Sequence, residues 1–410
     1  SSDLEANKNK LIHDASILNE GSSKTAIVDA VFGTSLKGPL NKSLVDLINS
    51  MNSYDQIFSI DIPSGINPNT GVELETSICA NKTISFVGRK VGLALNQGKI
   101  SAGEINFHDL GLNMKDEIKE FATSYKFLDI KDLIVKRSAN THKGNYGHVL
   151  ILAGSKGKTG AAGLTALAAL RSGCGLCTLA LPETCQKAFE LHPMEVMTVP
   201  LPETPSGSLS IKAKGPILKL IEGKSIVALG PGLTTDPETV ELIGEILPLI
   251  QCPLILDADA INALEKNIDW LENINSAVLT PHPKEMSRLT ELSTQEIQEN
   301  RINVTTQFAK KHSLILLLKG APSLIGTPDG NVYINPTGNP GMATGGSGDV
   351  LTGIIAGLAA QNISLKNASL AGAYIHGYTG DLFSESESQT SLIAGDLLRN
   401  LPDALKRVLP

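Results

Sequence analysis

Asn339-Pro340-Gly341-Met342-Ala343-Thr344-Gly345-Gly346-Ser347-Gly348-Asp349-Val350-Leu351 is the stretch on which the fold of this chain turns. It runs from a glycine-rich string straight into an apolar segment, 352–360, that reads as a helix. Gly345, Gly346 and Gly348, with Ser347 among them, leave several backbone N–H groups free at a helix start, and the helix dipole adds partial positive charge there. Anions bind such a place. Asp349 falls in the first turn and is open to two readings. It is either a charge partner of the dipole or a carboxylate that faces the anion cradle and takes a proton from a substrate hydroxyl.

Upstream, apolar runs at 148–153, 225–229, 253–256, 277–279 and 314–318 are spaced as the strands of an α/β sheet, with an Ala/Leu helix at 161–171. Each is followed by a polar or glycine-containing loop: Gly154-Ser155-Lys156-Gly157, Gly230-Pro231-Gly232-Leu233, Asp257-Ala258-Asp259-Ala260, Thr280-Pro281-His282-Pro283-Lys284-Glu285 and Lys319-Gly320-Ala321-Pro322-Ser323. Ligands of open α/β sheets bind at such carboxyl ends. Asp257 and Asp259 could approach Mg²⁺ or a nucleotide, or cap the following helix. His376, in Tyr374-Ile375-His376-Gly377-Tyr378, reads as a packed residue behind the anion loop. Lys156 and Lys158 read as exposed loop charges.

An earlier block has strand patterns at 25–31, 56–60, 84–87 and 104–107, with an amphipathic segment at 40–51, again the pattern of a parallel sheet. A charged stretch separates the blocks. The expected organisation is a first domain over 1–112, a linker over 113–140 and a second domain over 141–410, in keeping with a length of 410 residues. No repeat or low-complexity tract interrupts it.

Composition narrows the function. With 41% hydrophobic residues and 38 glycines the chain suits a globular α/β protein, and a net charge of -7 offers no basic stripe for a phosphate backbone, so no nucleic acid is expected. Five cysteines fit a reducing compartment better than a disulfide framework, and the cytoplasm is expected. Cys174-Gly-Leu-Cys177 lies in what reads as a buried strand, with no second pair at zinc-site spacing. No apolar run reaches the roughly 18 to 20 residues needed to span a bilayer, and no membrane association is expected. The start lacks Met and the features of a signal peptide, which suggests a processed or partial product.

The loops resemble those of ribokinase-like proteins. Together with Lys143-Gly144, the Gly154 to Gly157 turn and Thr159-Gly160-Ala161-Ala162, they resemble the NAD(P)H-hydrate dehydratase family over about 143–400. The resemblance implies a three-layer α/β/α ribokinase-like domain acting on hydrated NADH or NADPH with an adenine nucleotide, ADP or ATP, and Mg²⁺. A two-domain chain resembles the bacterial kind, which uses ADP. It implies Asp349 as the catalytic carboxylate, with Gly345, Gly346, Ser347 and Gly348 as the anion hole. Lys319, Gly320, Ala321, Pro322 and Ser323, with Gly348, would hold the nucleotide. Ala161, Gly232, His282, Lys284 and Glu285, with Asp349, would hold the hydrate; taken alone, His282 reads as a loop histidine. The rivals are a ribokinase-like kinase of a vitamin precursor, which shares the anion hole and its Asp, and a non-catalytic nucleotide sensor.

The first block carries a second resemblance. Val28-Asp29-Ala30-Val31-Phe32-Gly33-Thr34-Ser35-Leu36-Lys37-Gly38-Pro39, Asp61-Ile62-Pro63-Ser64-Gly65 and Thr83-Ile84-Ser85-Phe86 resemble the Rossmann-like NAD(P)H-hydrate epimerase domain. The resemblance implies K⁺ at Asp29 and Ser64, dinucleotide phosphates along Gly33, Thr34, Ser35, Leu36, Lys37, Gly38 and Pro39, and Asp61 as the acid/base carboxylate. An Asn-Asn-Gly-Gly-Asp-like loop of that family has no counterpart before Thr25. The expectation is a truncated domain with little epimerase activity, whose open sheet edge packs on the second domain or another subunit, so a homo-oligomer is expected.

Overall fold

Side-chain alternation along the strands of the C-terminal half divides its core into two faces. Val149 and Ile151, Cys177 and Leu179, Ile226 and Ala228, and Ile315 and Leu317 point to one side. Leu150 and Leu152, Ala180, Val227 and Leu229, and Leu316 and Leu318 point to the other. Strands buried on both faces read as continuous apolar runs, and both faces need helices over them. The computed structural model describes residues 26–36, 38–88, 90–108, 110, 125–127, 130, 133–134, 137–189 and 195–408.

The chain divides into two units, 1–123 and 124–410. In the first, β1 (Ala26–Asp29), β2 (Gln56–Ile60), β3 (Lys82–Phe86) and β4 (Glu104–His108) form a parallel sheet in that order. Helix α1 (Lys42–Met51) connects β1 to β2 and buries Ile48 and Met51. Its start is fixed by Asn41, whose side chain accepts from the Leu44 N–H.

The second unit has a ten-stranded sheet in the order β5-β14-β13-β12-β11-β10-β9-β6-β7-β8. These strands are β5 (Tyr125–Phe127), β6 (His148–Leu152), β7 (Leu176–Pro182), β8 (Met197–Leu201), β9 (Ile226–Leu229), β10 (Leu254–Leu256), β11 (Ala277–Leu279), β12 (Ile315–Leu318), β13 (Leu324–Gly326) and β14 (Val332–Ile334). All neighbours are parallel except across β13, which runs antiparallel to β12 and β14. One face is covered by α2 (Thr159–Arg171), α7 (Ser347–Ala359), α8 (Leu365–Ser384) and α9 (Ala394–Val408). The other is covered by α3 (Lys214–Ile221), α4 (Pro237–Ile246), α5 (Pro283–Thr290) and α6 (Arg301–His312). This is the three-layer α/β/α arrangement. Gly353 and Gly357 let α7 lie against α2, since a Cβ at either would stand 2.2 or 2.3 Å from the carbonyl oxygen of Thr165 or Ala169.

Two differences from the sequence expectations concern boundaries. The stretch 113–140, expected as a linker, contributes β5, paired in register with β14, and the buried Ile130. The helix expected over 352–360 begins five residues earlier, at Ser347, so Ser347, Gly348 and Asp349 are already helical. Cys177 lies in β7, buried, as the strand reading of that motif expects.

Candidate active site

The strand order reverses between β6 and β9: from β6 the chain steps to β7 and β8 on one side, and from β9 to β10, β11 and β12 on the other. A crevice opens at such a switch point, outside the carboxyl ends of the strands. The two loops that flank it, after β6 and after β9, are bonded together. The Gly154 N–H donates to the Pro231 carbonyl at 2.8 Å, and the buried Ser155 hydroxyl donates to the Gly232 carbonyl at 2.7 Å. Ala161, in the first turn of α2, lies beside Gly232: a Cβ at Gly232 would stand 3.3 Å from the Ala161 methyl.

Further along the same end, the loops after β10, β11 and β12 and the first turn of α7 meet at one carboxylate. Asp257 is 1% exposed. Its Oδ1 accepts from the Thr280 hydroxyl at 2.7 Å and from Lys319 Nζ at 3.0 Å, and its Oδ2 accepts from the Thr352 hydroxyl at 2.7 Å. Glu285 Oε2 stands 3.9 Å from the same Nζ. Burial pulls the Lys319 ammonium down, but the charges of Asp257 and Glu285 outweigh it and hold the pKa above its ordinary value. Burial also raises the Glu285 carboxyl, with Lys319 opposing. The first turn of α7 lies over this pair, for a Cβ at Gly348 would stand 3.3 Å from Lys319 Nζ. The capping alternative does not hold for either aspartate of this loop, since the helix Asp259–Ala263 has no side-chain cap. Asp257 is the hub just described, and Asp259 accepts from the Thr234 N–H at 2.8 Å and from Asn262 Nδ2 at 3.1 Å.

Asp349 occupies the third position of α7, after Gly346 has turned the chain through a left-handed N-cap (φ 90°). Among the described residues no donor reaches its carboxylate; only its backbone carbonyl is engaged, by the Thr165 hydroxyl at 3.1 Å. Burial, and then the negative charge of Asp257, push the carboxyl up to about 7, with Lys319 opposing and Asp259 adding to the rise. A half-buried carboxylate without a partner, poised near neutrality, is suited to taking up and returning a proton. Behind it, His376 on α8 places Nε2 2.9 Å from the Ser347 carbonyl. Burial holds this imidazole down to about 4, so it is neutral and donates.

His282 and Lys284 are turned differently from the cluster. His282 caps α5: Nδ1 accepts from the Glu285 N–H at 3.1 Å, while the Glu285 carboxylate accepts from the His282 N–H at 2.8 Å, a reciprocal capping box. The His282 ring remains 46% exposed, and Lys284 is exposed. The loop 319–323 is folded round a buried side chain that sequence reading missed, Arg301 at the start of α6. Thr280 and Thr352 were missed as ligands of Asp257. The only advance signal was position, Thr280 at a strand end and Thr352 one turn after Asp349. A cavity of about 330 Å³ lies beside the β6 loop, lined by Lys156, Gly157, Thr159, Thr184, Cys185 and Glu203 among others. None of its lining residues belongs to the Asp257 cluster, and the chemistry described above is not inside it.

In the first unit Asp29, at the end of β1, is 1% exposed and saturated. Its Oδ1 accepts from the Ser64 hydroxyl at 2.6 Å, and its Oδ2 from the Ser59 hydroxyl at 2.8 Å and the Ser64 N–H at 2.9 Å. Sequence reading paired Asp29 with Ser64, and the structure brings them into contact. Asp61 follows β2 with a positive φ of 72°. Its Oδ1 accepts from the Phe86 N–H at 3.2 Å and from Lys90 Nζ, which also donates to the Phe86 carbonyl at 2.7 Å. Lys90 was not anticipated. Gly33, Thr34, Ser35, Leu36, Gly38 and Pro39 form the loop after β1; Lys37 lies outside the described residues.

Residues 149–403 match the NAD(P)H-hydrate dehydratase family model, and residues 2–92 match the model described as YjeF-related protein N-terminus. A bifunctional NAD(P)H-hydrate repair enzyme of Moorella thermoacetica is 42% identical over 388 residues, 93% of this chain and 73% of that protein. Its Escherichia coli counterpart is 31% identical, over 92% of this chain and 70% of that one. The crystal structure of an ADP/ATP-dependent NAD(P)H-hydrate dehydratase from Bacillus subtilis, co-crystallised with ATP/Mg²⁺, superposes with a TM-score of 0.61 at 30% identity, over 70% of this chain and all of that one.

Proposed function

The chain belongs to the NAD(P)H-hydrate dehydratase family, and from that premise we propose that it restores NADH and NADPH from their hydrates at the expense of an adenine nucleotide. The observation that carries this reading is Asp349: an unpartnered carboxylate near neutrality at the glycine-rich start of a helix, beside a half-buried lysine.

In the hydrate, water has added across a ring double bond of the nicotinamide, and hydroxide is a poor leaving group. Asp349 takes the hydroxyl proton as the terminal phosphoryl group of ADP or ATP passes to the hydroxyl oxygen. The N–H groups of Gly345, Gly346 and Gly348 face the charge that develops on the transferring phosphate, while the Ser347 N–H is held by the Thr344 carbonyl. Phosphate then departs with the C–O electrons, driven by the ring nitrogen lone pair, and loss of a proton from the neighbouring carbon restores the double bond. The nucleotide lies along 319–323 with Gly348, and the hydrate along Ala161, Gly232, His282, Lys284 and Glu285. Since His282 and Glu285 spend part of their bonding capacity on the α5 cap, they contribute through their remaining atoms.

Among the described residues no three His, Cys, Asp or Glu side chains converge as a metal cage. That fits Mg²⁺, which keeps its waters and is held by one or two carboxylates and the nucleotide's own phosphates. Asp259 would be the carboxylate to assist, leaving Asp349 free as the base, and the ion would neutralise phosphate charge. In the first unit, Asp61 with Lys90 would be the acid/base pair of the epimerase-like site, from which little conversion of hydrate epimers is expected. Asp29 and Ser64 supply hard oxygens suited to K⁺, as part of its shell. The dehydration is tested by following NADH absorbance from purified protein and hydrate, with Mg²⁺ and with ADP, ATP or neither. Equal rates without nucleotide defeat the reading, and phosphorylation of vitamin alcohols without NADH recovery favours the kinase.

A further inference from the structure

Arg301 is a cation in the wrong place for a surface residue. It is 3% exposed, and burial lowers its guanidinium only to about 10, so it stays charged at neutral pH. Among the described residues no carboxylate pairs with it; a buried charge so placed must be answered by dipoles. Those dipoles are backbone carbonyls. Nη2 donates to the Pro322 carbonyl at 2.7 Å, the Leu318 carbonyl at 3.3 Å and the Lys319 carbonyl at 3.4 Å, while Nη1 donates to Gln298 Oε1 at 2.9 Å.

The guanidinium also sets the path of the loop. Gly320 has a φ of +154°, and a Cβ there would stand 2.1 Å from Arg301 Nη1 and 2.5 Å from Nη2, so the backbone runs close against the open end of the guanidinium fork. In a planar trans peptide the N–H points opposite to the carbonyl. Drawing the Lys319 and Pro322 carbonyls inward therefore turns the Gly320 and Ser323 N–H groups to the far side of the loop. The Lys319 N–H is held separately, by the Pro281 carbonyl at 2.8 Å.

We propose that Arg301 is a positioning residue for the nucleotide, gathering three carbonyls from beneath so that loop 319–323 presents its N–H groups, and Lys319 its ammonium, in the arrangement that receives the anionic cosubstrate. This rests on the nucleotide reading given above. A lysine cannot reproduce the role, because a single ammonium lacks the planar fork that reaches carbonyls spread over five residues.

The test uses the full chain and the variants Arg301→Lys, Arg301→Met and Gln298→Leu. ADP affinity is measured by calorimetry without hydrate, and KM is measured separately for ADP and for hydrate. Arg301→Lys should weaken ADP binding about 10- to 100-fold, as expected for a site displaced by about an ångström, with KM for the hydrate nearly unchanged. Gln298→Leu, which removes the Nη1 acceptor and leaves the guanidinium in place, should act in the same direction more weakly, and it carries the test if both Arg301 variants are insoluble. Unchanged ADP affinity with a lowered Tm would reduce Arg301 to a structural residue, as would equal rises in both KM values. Wild-type protein that binds neither ADP nor ATP would overturn the nucleotide reading along with this inference, whereas wild-type binding retained in Arg301→Lys sinks this inference alone.

Discussion

The two units each set an aspartate at the carboxyl end of a sheet's parallel strands, and they treat it in opposite ways. Asp61 is met by an ammonium and a backbone N–H, and Asp29 beside it accepts three close hydrogen bonds. Asp349 meets no donor among the described residues and faces another carboxylate, and it titrates near neutrality. A carboxylate held by donors is locked in one geometry. A carboxylate left without them in a half-buried setting is costly to ionise, and that cost is what makes it a usable base. The difference lies in the surroundings rather than in the residue, and substitutions can break it.

Asp349→Asn should break it most severely. It keeps the shape and removes the acceptor, so turnover should fall by roughly 10² to 10⁴-fold while nucleotide affinity changes little, read from NADH recovery and ADP titration. The raised pKa also fixes a sign. A carboxyl shifted from 3.8 to about 7 favours its protonated form in the folded state, so stability is full below the unfolded value and is lost as pH rises through about 7. The Asn variant should therefore melt higher than wild type at pH 8, with the gap closing in acid. Retained turnover with a lower Tm would return Asp349 to a helix-supporting role. In the wild type the dehydration rate should fall as pH drops below about 7, where Asp349 takes up its proton.

Lys319→Met sharpens the same contrast. The ammonium opposes the rise at Asp349, so its loss should move the acid limb of the pH–rate profile to higher pH. Stripping Asp257 of its cation should also cost about 3 to 5 kcal/mol in denaturant unfolding. An unmoved acid limb would show that some other group sets it.

His376→Gln should have a smaller effect. The folded imidazole resists protonation down to about 4, whereas the unfolded one takes a proton near 6.5. The unfolded state thus binds more protons between those values, and wild-type stability should fall across that window by at most about 1.4 kcal/mol per pH unit. The Gln variant, still able to donate to the Ser347 carbonyl, should show a flatter acid limb in thermal melts. Last, Asp61→Asn should leave dehydration of the S hydrate within about twofold, as independent sites allow, while removing any R-to-S conversion above the spontaneous rate, followed chromatographically. A large loss of dehydration would mean that the two carboxylates are coupled.

Sequence pattern made the strand positions of the second unit legible, because strands buried on both faces announce themselves as apolar runs ending at glycine or at a polar residue. It also placed Asp349 at a helix start. It failed where the decisive fact is a long-range contact. Nothing local at Thr352 says that its hydroxyl turns to Asp257, and Arg301 opens a polar helix like many surface arginines. The β5 segment was missed for a related reason: three residues in a charged stretch carry no periodicity, and only pairing with β14 makes them a strand. At His282 the local capping pattern was present in sequence, His followed three residues later by Glu, but histidine is not among the usual caps and the pattern was read for ligand contact instead.

The hub at Asp257 also has a consequence in time. Its three side-chain partners lie 23, 62 and 95 residues further along the chain. None can be gathered until the intervening segments have been threaded into the sheet, and contacts so distant in sequence close late and slowly. A refolding chain can therefore regain most of its helix while the carboxylate that raises Asp349 is still unanchored. Catalytic recovery should trail the return of far-ultraviolet dichroism, so that activity reports on completed topology rather than on secondary structure.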